Sequence, residues 1–131
     1  MTMRWTWAEL PDESVRALAH RLDEGWTPGD EGQLKLGADR AVWRVPLGDG
    51  SVLLKRFVVP GARRLLHLVR ASRAAAECQA ACALRDAGIP TAPAIGFGER
   101  RTGGLLKEAC YLGRFLPDAT TLGGLYRLSR S

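Results

Sequence analysis

A chain of 131 residues has the length of one ordinary domain, enough to bury about two thirds of its unfolded surface in a single core. Its hydrophobic fraction of 46% and charged fraction of 25% exclude a disordered or fibrous chain, while 15 Gly and 7 Pro predict many short elements joined by turns. Nineteen Lys and Arg against fourteen Asp and Glu leave +5, and residues 50–76 hold six basic residues and no acid; that stretch either faces an anion or forms a solvated basic surface.

Cys78, Cys82 and Cys110 form an odd set without disulfide spacing, which points to a reducing cytoplasm. Cys78 and Cys82 stand one helical turn apart, but neither His20 nor His67 is placed to complete a metal set. Both cysteines read as small buried hydrophobes, and no metal is expected from them. The first ten residues carry Trp5 and Trp7 without the apolar core of a signal peptide. Residues 87–98, the longest uncharged run, are broken by two prolines and three glycines and fall short of a membrane span, so no integral membrane segment is expected.

In chain order, Asp12 is placed to cap an amphipathic helix through Val15, Leu18, Ala19 and Leu22, stopped by Gly25. From Gln33 the pattern changes to β-rich runs at residues 33–36, 42–47 and 52–59. Gly48-Asp49-Gly50 joins the last two as a tight antiparallel hairpin, because glycine supplies the positive φ such a turn demands. Pro60 and Gly61 end the third strand, and residues 63–70 read as a short basic helix. Ser72 caps a longer helix over residues 73–87, closed by Gly88. Pro90 and Pro93 force an extended return. Strands are then expected at residues 94–97 and 105–115 around a turn at 99–104, and a last helical hint lies at 122–128. The order predicts an α+β fold with a five-stranded antiparallel sheet and one packed helix.

Alternation along the third of these strands puts Leu53, Lys55 and Phe57 on one face, so Lys55 shares its side with large apolar residues. An unpaired ammonium is strongly penalised there. Glu77 falls on the same side of the long helix as Ala81 and Leu84, and a helix laid across the sheet would bring the two together. A lysine so fixed can hold phosphate oxygens; taken alone, the same pair is also what a purely structural salt bridge would look like.

The strand Val52-Leu53-Leu54-Lys55-Arg56-Phe57, the basic segment after it, the helix with Glu77, and the run Ala87-Gly88-Ile89-Pro90-Thr91-Ala92-Pro93 before Phe97-Gly98-Glu99 resemble the amino-terminal lobe of the Kdo/WaaP lipopolysaccharide-kinase family. That family belongs to the protein-kinase-like superfamily, and the resemblance spans residues 33–122. It implies that Lys55 binds the phosphates of ATP, that Glu77 orients Lys55, that Val42 and Leu53 roof the adenine, and that residues 112–117 form a hinge. Gly37 would belong to the phosphate-covering loop if Val42 is that loop's valine.

The chain would then divide into a lead-in helix and linker (residues 1–32), a kinase-like lobe (33–117) and the start of a second lobe (118–131). The aspartate that positions the acceptor and the Asp or Asn ligands of Mg belong to that second lobe. Weak or absent Mg-ATP binding and no turnover are therefore expected of this chain alone. The implied reaction is phosphorylation of a sugar hydroxyl in the lipopolysaccharide core, in the cytoplasm or at the inner membrane, with an anionic glycolipid or membrane surface and a missing lobe or protein partner as associates. Nucleic acid fits less well, because no aromatic residues interleave with the arginines. The competing reading is a non-catalytic binding module for an anionic ligand or a protein.

Overall fold

The computed structural model describes residues 3–29, 32–37, 39–48, 50–59 and 72–115. Within them the chain runs β1 (Arg4–Trp7), α1 (Glu13–Asp23), β2 (Gln33–Leu36), β3 (Arg40–Leu47), β4 (Gly50–Val58), α2 (Arg73–Asp86), β5 (Ala94–Thr102) and β6 (Leu105–Phe115). The fold is α+β. The expected helices at 63–70 and 122–128, and the segment 118–131, lie outside the described residues.

All six strands join one antiparallel sheet in the order β1-β5-β6-β4-β3-β2. The β3–β4 hairpin closes with Leu47 opposite Gly50, and Gly48 takes the positive φ, 59°, while Gly50 opens β4. Both helices begin where a side chain satisfies their free amides: Val15 N donates to Asp12 Oδ1 at 2.9 Å, and Ala75 N donates to Ser72 Oγ at 3.1 Å.

Two expectations are corrected. The sheet has six strands rather than five, because residues 4–7 pair with β5. Trp5 lies opposite Gly98 and Trp7 opposite Gly96, and the two indoles stack with centroids 5.2 Å apart. The glycines make that approach possible: a Cβ on Gly96 would come within 2.6 Å of the Thr6 carbonyl oxygen, and one on Gly98 within 2.9 Å of the Trp5 ring. The second correction is that β5 runs on to Thr102 through what reads as a turn. Its charged residues have partners, with Arg100 bound to Glu108 and Arg101 to Glu99, so the ladder continues until Gly103 and Gly104 turn it at positive φ.

The cross-strand register sorts the side chains onto two faces. On one, Val15, Leu18 and Leu22 of α1 pack with Trp43, Val45, Val52, Leu54, Ile95 and Leu112. On the other, Ala74 and Cys78 of α2 meet Phe57, Ala94, Ala109 and Tyr111. The sheet is thus sandwiched between helices, and the lead-in helix covers its back. Arg100 fastens that cover: its guanidinium donates to Glu108 at 2.6 Å and to the carbonyls of Leu22 and Asp23 at the carboxy end of α1. Among the described residues no helix is long and apolar enough to cross a membrane.

Candidate functional site

Lys55 sits near the middle of β4, which is flanked by β3 and β6. An aliphatic stem suits such a position, but an ammonium there needs a counter-charge. The α2 helix supplies it: Lys55 Nζ lies 2.8 Å from Glu77 Oε2, with the lysine side chain 4% exposed and the glutamate 28%. The sequence-predicted pair is therefore a contact. Ser72, itself buried, fixes where α2 starts, and small residues at Ala74 and Cys78 let the helix settle close enough for Glu77 to reach the strand.

Val42 is the direct cross-strand partner of Lys55 on β3, and Leu53 precedes Lys55 by two residues on the same face. Both are buried. These three side chains and Glu77 form one patch, apolar around a single ion pair. Tyr111 of β6 is the partner of Lys55 on its other side, with its ring centroid 5.9 Å from Nζ. The ring also leans over Gly113, where an added Cβ would meet it at 3.0 Å. Tyr111 escaped the sequence reading because only the register of β4 on β6 places it.

Gly37 stands apart from this patch. Its amide donates to the Arg40 carbonyl at 2.7 Å, closing the β2–β3 turn. That N–H is committed to the hairpin, and the glycine serves the tightness of the turn, since a Cβ there would lie 3.3 Å from the Arg40 carbonyl oxygen. The expected hinge at residues 112–117 is also revised. Residues 112–115 pair with residues 51–54 of β4 and are strand, so any connector starts after Phe115; residues 116 and 117 lie outside the described ones.

No protein-family model, curated protein or solved structure matches the chain.

Two buried cysteines, Cys78 on the α2 face and Cys110 on the α1 face, are chemically quiet. Burial, reinforced by the neighbouring Cys82, pushes the Cys78 thiol up to about 11. Burial, with the Glu108 carboxylate beside it, pushes Cys110 up to about 12. Both are thiols rather than thiolates at neutral pH, which suits packing and not nucleophilic chemistry. Among the described residues no three His, Cys, Asp or Glu side chains gather as metal ligands.

Proposed function

We propose that this chain supplies the phosphate-orienting lobe of an ATP-dependent kinase of the lipopolysaccharide-kinase type, acting on a sugar hydroxyl of the lipopolysaccharide core. The observation that carries the reading is the buried contact of 2.8 Å between Lys55 and Glu77. A lysine on the third strand after Gln33, paired with a glutamate on the helix that follows, is the arrangement by which kinases hold the nucleotide phosphates. A structural salt bridge would gain little from such a position, because desolvating both charges offsets most of their attraction.

In this reading Lys55 binds phosphate oxygens and Glu77 fixes its direction, while Val42 and Leu53 offer the adenine an apolar surface. ATP supplies the transferable phosphoryl group. Lys55 would serve the nucleotide's phosphates, whereas among the described residues no three His, Cys, Asp or Glu side chains gather to hold its magnesium. The metal ligands and the acceptor-positioning aspartate would come from a second lobe. Work on a membrane glycolipid would put the protein in the cytoplasm, peripheral to the inner membrane.

Titration of the isotopically labelled chain with Mg-ATP, followed by amide chemical shifts, tests this. Weak, roughly millimolar binding should perturb Val42, Leu53 and Lys55 together. Perturbations confined to other surfaces, or none at saturating nucleotide, would remove the nucleotide site.

A further inference from the structure

We propose that a second anion subsite adjoins Lys55, formed by Arg40 and Arg73 around the ring of Phe57, and that it takes the outer phosphates of a polyphosphate-bearing ligand. The inference rests on reading Lys55 as a phosphate ligand, and extends that site by two residues.

Three observations converge. Phe57 is buried on the α2 face two residues beyond Lys55, about 7 Å along the strand. Arg40 is its direct cross-strand partner and so projects from the same face, half-buried. Arg73, the first residue of α2, carries its guanidinium 5.4 Å from the Phe57 ring centroid and is exposed. A strand and a helix thus bring two cations to one aromatic ring, beside a third.

The charges there do not balance. Lys55 is compensated by Glu77. Among the described residues neither Arg40 nor Arg73 is ion-paired with a carboxylate, Asp39 next to Arg40 included. The opposite face shows what balance looks like: there Arg56 and Arg100 also converge, and Glu108 lies between them at 2.7 and 2.6 Å. On the α2 face the corresponding anion is left for a ligand. Guanidinium groups match phosphate oxygens by paired hydrogen bonds, and the Phe57 ring lies beneath that of Arg73. The spacing suits a linear di- or triphosphate, whose near end meets Lys55 and whose far end meets the two arginines.

The test compares inorganic tripolyphosphate with Mg-ATP on the full 131-residue chain and on the variants Arg40→Gln, Arg73→Gln and Lys55→Met, each first checked for an unchanged amide spectrum away from the substitution. Tripolyphosphate should shift Arg40, Phe57 and Arg73, and each arginine variant should weaken it about tenfold, the scale of one lost charge-assisted contact. If tripolyphosphate binding depends on the arginines while the adenosine part of ATP adds nothing, the subsite stands and the nucleotide reading falls. If Mg-ATP perturbs Val42 and Leu53 and the arginine variants bind it as the wild type does, the nucleotide reading stands and the subsite falls. If neither probe binds this face, both fall.

Discussion

On the α1 face of the sheet, Leu54, Ile95 and Leu112 are fully enclosed against leucines and Val15, and Glu108 is gripped by two guanidinium groups. On the α2 face the helix approaches through alanine and cysteine, Lys55 carries its charge into the interior, and Arg40 and Arg73 stand without carboxylate partners among the described residues. Large apolar contacts and satisfied charges stabilise the first face. The second gives up contact area and accepts an ionic group whose desolvation is expensive, which a sheet built only for stability would avoid. In the proposed reading, the α1 cover carries the stability of the sheet and leaves the α2 face to phosphate binding.

Substitutions can break this comparison face by face. The largest effect is expected from Leu54→Ala, which hollows the α1 face and should cost about 3 kcal/mol in urea unfolding. Glu108→Gln should cost about 2 kcal/mol by leaving Arg56 and Arg100 to share a neutral amide. Burial pushes the Glu108 carboxyl up, but its hydrogen bonds from Arg100 and Arg56 outweigh this and hold it below the ordinary 4.5. A depressed carboxylate stabilises fully above its unfolded value and loses that contribution as pH falls through the folded one. The gap between wild type and Glu108→Gln should therefore narrow from about pH 6 to about pH 3; a constant gap would mean the network contributes no charge-dependent stability.

A smaller loss, about 1–2 kcal/mol, is expected of Gly96→Ala, whose methyl group must push the Thr6 backbone aside. Its signature is loss of the Trp5–Trp7 stack in near-ultraviolet circular dichroism. An unaltered spectrum would show that β1 does not depend on the bare glycine surface of β5.

How far the sequence foretold this arrangement differs from element to element. The hairpin at residues 48–50 was legible because glycine has few other reasons to punctuate two β-branched runs, and the caps Asp12 and Ser72 were legible because short polar side chains before apolar periodicity do one job. Lys55 and Glu77 were legible as a pair because each violated an apolar pattern in a way only the other could repair. β1 was not, since four residues give too little alternation to read, and its reason for docking lies in Gly96 and Gly98, some ninety residues away. Strand register hid the Arg56–Glu108–Arg100 network, whose members alternate correctly on their own strands and meet only when β4, β6 and β5 are paired. The length of β5 is hidden because Glu99, Arg100 and Arg101 look like turn residues until the pairing of β5 with β6 and the Arg100–Glu108 contact are known.

The central claim is that the Lys55–Glu77 pair serves phosphate binding and not the stability of the fold, and the variant Lys55→Met tests it most directly. Methionine fills the lysine stem's space, and Glu77, 28% exposed, can turn to water. Unfolding free energy should change by less than about 1 kcal/mol, while the Mg-ATP shifts at Val42 and Leu53 disappear. A variant that unfolds several kcal/mol more easily (about 3 or more), or that binds Mg-ATP as the wild type does, would contradict the account.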